Sequence, residues 1–367
     1  MKRLLYILSI SLAATLMGCI AEDRSACPHP RGVSVRLTVC PDPMTAVTRT
    51  TDEEALRDLN LYLYDDDGEI VLHRYQSSST LRFTSLPGNY RMRIAANMGR
   101  DLGENPASED FTVTHADEYD TLPMSYEGEV SVPSSDETVT LPTVEVQRVV
   151  AKVTYNISVA PDAGDIRLHS VQPVNLPARM PVFDPGLRAA EYTAGEIVGS
   201  SSQTLTGTFY MLPNLQGEVP SIADQRDKGP ANAPADATFL RIRALRGSKV
   251  LDYYIYPGGN NTSNFDIRAN THYRLDIMIR GDAEVDTRIR AYTVEVLCTP
   301  EAALSNGFLL ERQPMRLTLR LGGAYEETGV EAFVELKTGD VRYFGFEGQW
   351  GAVARTMEIR GPENDYD

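Results

Sequence analysis

The sequence contains few of the residues from which metal, redox and nucleophilic sites are built. Its 367 residues include four cysteines and five histidines. None of them has the CxxC or HExxH spacing that a zinc site uses. The chain also lacks a P-loop, a GxGxxG turn and a GxSxG nucleophile elbow. We therefore expect a protein without enzymatic activity, without a metal site and without a cofactor.

Positive charge and long hydrophobic runs are scarce as well. Lysine and arginine number 35 against 51 aspartate and glutamate residues, which gives a formal net charge of -16. Such a charge repels nucleic acids and anionic lipid head groups, so we expect neither as a partner. No apolar run approaches the roughly 20 residues that a membrane-spanning helix needs. Attachment to a membrane would therefore depend on a lipid.

The N-terminus carries the features of a lipid attachment signal. Lys2 and Arg3 precede a mostly apolar run, residues 4–17, which is followed by Gly18 and Cys19. This order predicts a lipoprotein signal peptide, residues 1–18, whose removal leaves lipid on Cys19. We expect a protein that is held at the cell outer membrane by this lipid. The alternative is an ordinary signal peptide that ends near a free cysteine.

Hydrophobic residues recur with a period of two through most of the remaining chain. Val33, Val35, Leu37 and Val39 alternate with residues of polar character, which predicts a strand with one face on a core and one in solvent. Six further segments show the same alternation: residues 59–64, 90–94, 151–157, 240–244, 273–279 and 317–321. Glycine-containing and proline-containing turns separate them. The pattern predicts an all-β fold of antiparallel sandwiches, since an amphipathic sheet needs a second sheet to cover its apolar face.

Composition suggests where the domains begin and end. Residues 19–32 contain prolines and no apolar periodicity, which is typical of a tether. We expect a first β-sandwich at 33–145, a second at 146–282, and a C-terminal β-rich segment at 283–367. Residues 216–237, rich in Asp, Ala and Pro, predict a mobile surface insertion.

Three cysteines remain after Cys19, and their state is open. An exported protein lies where disulfides persist, and Cys27 with Cys40 is the pair that we expect to form one. Cys298 would then be left over as a thiol. Isolated free cysteines explain the sequence equally well.

Two segments could be interpreted as binding sites, one for calcium and one for a glycan. Residues 65–69 cluster carboxylates as a calcium loop does, but Gln76 stands where an EF-hand loop carries glutamate, so a hairpin turn is favoured. Trp350 is the single tryptophan of the chain and would suit glycan stacking if its ring were exposed. A packed ring is the alternative.

Several motifs, in their order along the chain, resemble those of the Bacteroidetes-type fimbrial anchor and fimbrillin lipoproteins. They are the lipid cysteine with an acidic tether and Cys-Pro (19–28), a strand and turn (59–68), Leu-Pro-Gly-Asn-Tyr (86–90), Arg-Val-Val-Ala-Lys-Val (148–153) and the segment 264–273. The resemblance implies tandem transthyretin-like Greek-key β-sandwiches in a surface lipoprotein that binds other fimbrial subunits. It does not extend to residues 283–367. The acidic pair Glu22 and Asp23 is similar to surface-export signals and favours the outer face of the membrane.

The resemblance implies two different roles for the first strand. A polymerising fimbrillin is cut by an Arg-specific protease after this strand, and Arg49 in the polar stretch Thr48-Arg49-Thr50 is the candidate cleavage site. An anchor subunit keeps both strand and lipid. For an anchor or accessory subunit, Val33, Val35, Leu37 and Val39 would close the first sandwich by strand complementation. A surface adhesin or glycan-binding module is the alternative function.

Overall fold

The computed structural model describes residues 31–42, residues 51–281 except 185, 201 and 248, and residues 288–300. Farther along the chain it describes the backbone of six strands, whose bounds are given below. Cys19, Cys27 and Arg49 therefore lie outside the described residues. Within them, the helical segments are short 3-10 turns, Thr51–Glu54, Ser108–Phe111 and Gln225–Asp227. No helix of this part is long and apolar enough to span a bilayer.

The N-terminal part of the chain forms nine strands, eight of which make up the sheet of the first sandwich, and the all-β fold class is confirmed. They are β1 (Val33–Pro41), β2 (Leu59–Tyr64), β3 (Ile70–Gln76), β4 (Thr80–Ser85), β5 (Gly88–Ala96), β6 (Thr112–Thr114), β7 (Met124–Val132), β8 (Val139–Thr140) and β9 (Val144–Arg148). Strands β3, β2, β5 and β7 pair in that order, and β9, β1 and β4 follow, with β8 also beside β1, while β6 lies outside this sheet. Two residue pairs between β7 and β9 join the two halves.

The first strand is an interior strand of this sandwich. On one side β1 pairs antiparallel with β4, from Val33 opposite Ser85 to Thr38 opposite Thr80. On the other side it pairs in parallel with β8 and then with β9. Its apolar residues all point into the core, as the alternation predicts.

Strand β2 departs from the predicted alternation, because all six of its residues are buried. The segment between β5 and β7 covers the face that the pattern assigned to solvent. Tyr62 donates its hydroxyl hydrogen to the carbonyl of Gly103 at 2.8 Å, and its ring meets Phe111 edge-on at 5.4 Å. Asn60 accepts a hydrogen bond from the amide of Leu102 at 2.9 Å. A polar residue in an alternating strand thus faces a second layer of chain here.

The second sandwich has a small sheet and a large one. The strands of this part of the chain are β10 (Ala151–Val159), β11 (Arg167–Val174), β12 (Leu176–Pro177), β13 (Arg179–Pro181), β14 (Tyr192–Thr193), β15 (Val198–Gly199), β16 (Thr204–Met211), β17 (Phe239–Arg246), β18 (Lys249–Ile255) and β19 (His272–Ile279). Strand β12 pairs with β14, while β13 pairs with β6 and packs its Met180 in the core of the first sandwich. The small sheet has the order β16-β10-β19, with β10 and β19 parallel over eight residue pairs. The large sheet begins with β15, β11, β17 and β18. Side chains of both sheets share one core that includes Ile157, Val171 and Leu251.

The described C-terminal strands are β20 (Ile289–Pro300), β21 (Met315–Gly323), β22 (Glu331–Glu335), β23 (Gly345–Phe346), β24 (Gln349–Trp350), β25 (Ala354–Glu358) and β26 (Glu363–Tyr366). Of these, β20, β21 and β26 extend the large sheet, whereas β22 pairs with β25 and β23 with β24. Strand β20 pairs with β18, and β21 and β26 follow. The sheet thus continues beyond residue 282, where the sequence predicts a new segment. At the other predicted boundary, β9 belongs to the first sandwich up to Arg148.

The segment 216–237, predicted to be a mobile insertion, is packed against the second sandwich. Ile222 and Ala237 lie in a buried cluster with Tyr254, Tyr256 and Phe265. Lys228 is also buried, and its ammonium donates to the carbonyl oxygens of Asn260 and Asn264 at 2.8 and 2.7 Å. The prediction was wrong because the partners of this segment follow β17 in the chain, at Tyr254 of β18 and in the loop 256–265, and leave no mark on the segment's own sequence.

Burial of Lys228 predicts a specific pH dependence of stability. It lowers the pKa of the lysine from 10.5 to about 8. Between these two values the unfolded chain keeps a proton that the folded chain has released, so the free energy of unfolding rises with pH from about 8 upward. We expect this rise, at most about 1.4 kcal/mol per pH unit, in urea denaturation between about pH 7 and 9.5. The variant Lys228→Met should show a flatter profile, whereas Lys249→Met, which changes an exposed lysine, should keep the wild-type slope. Equal slopes in all three proteins would contradict the assignment of this pH dependence to Lys228.

Candidate functional site

The first strand occupies a slot that runs through the core of the first sandwich. Val33, Val35, Leu37 and Val39 are each at most 3% exposed. They pack in one hydrophobic cluster with residues of both halves of the sandwich, including Leu81 and Met92. The four residues named from the sequence are therefore brought together as one buried ridge, while Ser34 and Arg36 on the opposite face are exposed.

A cleft opens beside this strand, where β7 and β9 separate. It has a volume of about 660 Å³. Leu37, Met92, Val130, Leu141 and Phe183 are among its apolar lining residues. Since Leu37 belongs to both the slot and the cleft wall, removal of β1 would merge the two into one long apolar groove.

Arg148 binds the chain just after the first strand. Its side chain is 2% exposed, and Nη1 donates to the carbonyl of Asp42 at 2.8 Å and to Asn270 Oδ1 at 3.2 Å. Nε and Nη2 donate to the carbonyl of Glu53 at 3.1 and 2.9 Å. Asn270 in turn donates to the Asp42 carboxylate at 2.9 Å. One guanidinium thus holds the end of β1, the turn at Glu53, and the loop that enters β19 of the second sandwich.

Glu53 extends this polar cluster into the second sandwich. Its Oε1 accepts from Lys152 Nζ at 2.5 Å and from the Tyr210 hydroxyl at 2.7 Å. Both members of the Glu53–Lys152 ion pair are less than a tenth exposed. Burial, with the nearby Glu53 carboxylate as the second cause, raises the pKa of the Tyr210 hydroxyl, which stays protonated as a donor. We call Asp42, Glu53, Arg148, Lys152, Tyr210 and Asn270 the junction cluster.

The other site residues predicted from the sequence lie outside the junction cluster, and several lie outside the described residues. Cys40 is partly exposed, and burial is the main cause that raises the pKa of its thiol. Its expected partner Cys27 lies outside the described residues, so the disulfide stays a prediction, as does lipid on Cys19. Arg49 is also outside them, but Asp42 and Glu53, which flank its segment, are both held by Arg148. The backbone alone is described at Trp350, and glycan stacking there stays a prediction.

The junction cluster was not predicted from the sequence. Its members are spread over the chain between residues 42 and 270 and pair over long separations. A signal was present in the segment 148–153, where an arginine and a lysine bracket the apolar residues of a strand start. Basic residues in a segment that the fold buries need acceptors nearby. In the described part of the chain, no group of His, Cys, Asp and Glu side chains could hold a metal ion.

The chain is similar to one family model and to several solved structures. The model of a domain of unknown function, DUF4906, matches residues 209–277. A candidate cell adhesion protein from Parabacteroides distasonis has a solved structure with a TM-score of 0.52 and 17% identity, over 80% of this chain and 98% of that one. No curated protein sequence matches the chain.

Two fimbrial proteins of Porphyromonas gingivalis also align with the chain. The tip fimbrial protein Mfa3, with a C-terminal truncation, has a TM-score of 0.46 and 17% identity, over 79% of this chain and 100% of that one. The fimbrilin FimA has a TM-score of 0.46 and 14% identity, over 71% of this chain and 96% of that one. The P. distasonis structure shows a shared fold.

The junction cluster predicts a strongly non-additive pair of substitutions. Glu53→Leu leaves the Lys152 ammonium buried without this carboxylate, which costs about 3–5 kcal/mol of stability. Combining it with Lys152→Met removes the stranded charge, so the double variant should be more stable than Glu53→Leu alone. Urea denaturation of the two single variants and the double variant measures this coupling. A double-variant loss equal to the sum of the single losses would contradict it.

Proposed function

We propose that the protein is a structural subunit of a cell-surface fimbrium, held at the outer membrane by lipid on Cys19. In this role it is an anchor or accessory subunit that keeps its first strand. It binds other fimbrial subunits by β-strand complementation and has no catalytic role. The fold shared with a candidate cell adhesion protein supports the surface role, and the signal-like N-terminus supports the lipid.

The burial of β1 carries this proposal. A strand with four core residues and pairing on both sides can be removed only by opening a groove along the whole sandwich. Such a groove exposes unpaired backbone groups and apolar pockets at every second position, which is what a donor strand from another subunit would fill. A subunit that keeps β1 fills this groove itself, and its first sandwich needs no donor.

Retention of the strand is favoured over cleavage by what holds its C-terminal end. Asp42 contributes both its carbonyl and its carboxylate to the junction cluster. Loss of residues up to Arg49 would remove these acceptors from Arg148 and Asn270. A buried guanidinium that loses one of its acceptors is destabilised, because arginine cannot neutralise itself by releasing its proton. The polymerising fimbrillin cleaved after Arg49 is the competing role.

Intact mass and N-terminal analysis of the protein recovered from cells test this choice. The cells should be grown with and without an active Arg-specific protease. A lipidated Cys19 at the N-terminus under both conditions is the expected result for an anchor or accessory subunit. A new N-terminus at Thr50 that requires the protease would identify a polymerising fimbrillin instead.

Matched substitutions in β1 test the groove itself. Leu37→Asp places a charge in the core and should cost more than the about 2–5 kcal/mol typical of removing a buried leucine side chain. We expect multimers or loss of the folded monomer in size-exclusion chromatography. Arg36→Asp changes an exposed neighbour on the same strand and should leave the monomer intact. A folded monomer of Leu37→Asp with wild-type stability would show that β1 does not close the sandwich.

A further inference from the structure

Strand β19 forms one edge of the small sheet in the second sandwich. It pairs with β10 along one side, and no strand of the described chain pairs with its other side. The pairing with β10 covers eight residues without a bulge or register shift. Protein sheets usually protect such edges with proline, charged side chains, bulges or very short strands. Strand β19 carries the exposed charges of Arg274 and Asp276, but it contains no proline and no bulge and presents a long, regular edge.

Side-chain burial shows that this edge is incompletely covered. Along β10, the inward residues Val153, Tyr155 and Ile157 are at most 4% exposed. Their register partners on β19, Tyr273, Leu275 and Ile277, are only partly buried. These three side chains line a groove of about 780 Å³, whose opposite wall includes Tyr253 and Ile255 of β18. The groove therefore has an apolar floor and a row of backbone groups along one side.

The orientation of those backbone groups follows from the ladder. Lys152 donates its amide to the carbonyl of Thr271, and Ala160 donates to that of Ile279. In a parallel ladder, the residues of one strand that bond its neighbour alternate with residues whose groups point away. The odd-numbered residues of β19 thus bond β10. The amides and carbonyls of Arg274, Asp276 and Met278 point toward the groove edge, and their side chains are exposed.

Cationic side chains outnumber carboxylates among the residues that line the groove, although one of them, Arg226, is ion-paired with Asp224 at 2.7 Å. The cationic residues that line it are Arg226, Lys228, Arg274, Arg280 and Arg288. Asp276 is the one carboxylate among the described lining residues, although acidic residues exceed basic ones in the sequence by 51 to 35. Arg274 and Arg280 lie six positions apart, on the solvent side of the strand. Their spacing suits two carboxylates on one added strand.

We propose that the β19 edge accepts an extended segment of a partner subunit, with apolar residues at alternate positions and carboxylates six residues apart. The apolar residues contact Tyr273, Leu275 and Ile277, the backbone pairs with residues 274–278, and the carboxylates face Arg274 and Arg280. This surface lies on the second sandwich and is separate from the slot of β1. It goes beyond the proposed function, because it requires neither retention nor cleavage of β1.

A labelled peptide tests this surface on the whole protein. The probe is Glu-Val-Thr-Val-Thr-Val-Glu with a flexible Gly-Ser pair and a fluorophore at one end, and binding is measured by fluorescence anisotropy. We expect saturable binding that weakens with salt, and binding about tenfold weaker when lysine replaces both glutamates. Absence of binding, or equal binding of the two peptides, would overturn the proposal.

Substitutions at Asp276 separate backbone pairing from side-chain effects. Asp276→Pro removes an amide that points to the groove and breaks no bond to β10, and proline is tolerated at such edge positions. It should weaken peptide binding about tenfold or more, whereas Asp276→Ala, which keeps the amide, should bind at least as well as the wild type. Circular dichroism and the melting temperature report whether each variant is folded. Unchanged binding to a folded Asp276→Pro protein would overturn the proposal.

Hydrogen exchange on the wild-type protein tests the same surface if the proline variant does not fold. In the wild-type protein, the amides of Arg274, Asp276 and Met278 should exchange fast and become protected when the peptide binds. Protection elsewhere without protection here would overturn the proposal. Sedimentation velocity without peptide tests whether a second copy of this chain binds at the β19 edge. Self-association that Asp276→Pro abolishes would identify a second copy of this chain rather than a different subunit, and would also overturn it.

Discussion

The buried guanidinium of Arg148 is the constraint on which the arrangement of the two sandwiches depends. Arginine stays charged inside a protein, so a nearly inaccessible one requires acceptors from its surroundings. Here these acceptors come from Asp42, Glu53 and Asn270, which belong to three separate parts of the chain. Each part must be in place before the charge is satisfied. The end of the first strand, the turn after it and the entry to β19 are therefore positioned by one side chain.

Sequence periodicity predicted the strands well where one face of a strand meets solvent. The alternation at residues 33–39 and 151–157 corresponds to β1 and β10, since a period of two directly reflects the pleat. It failed at β2, because the covering layer comes from residues 97–123 and leaves no mark on the strand itself. It failed at 216–237 for a related reason: this loop is ordered by contacts with Tyr254 and Phe265, which no local pattern announces.

The junction cluster and the β19 edge were harder to anticipate than the strands. Glu53 and Lys152 meet across the boundary between domains, so their pairing depends on how two folded units are placed. Whether a strand is an interior strand or an edge is decided by topology. The sequence 273–279 has the same alternation as an interior strand, yet it borders a groove. Local sequence thus indicates which face of a strand is buried. Whether the two long sides of the strand are paired with neighbours is decided by the rest of the fold.

Both sandwiches join an early strand to a late one by parallel pairing. Val39 of β1 lies opposite Val144 of β9, and Lys152 of β10 lies opposite His272 of β19, in each case more than a hundred positions away. Contacts of such long range make folding slow, because the intervening chain must be ordered before they form. During synthesis, β1 must wait for residue 148 and β10 for residue 279. Each sandwich consequently closes in a late step, and its first strand is among the last to find all of its neighbours.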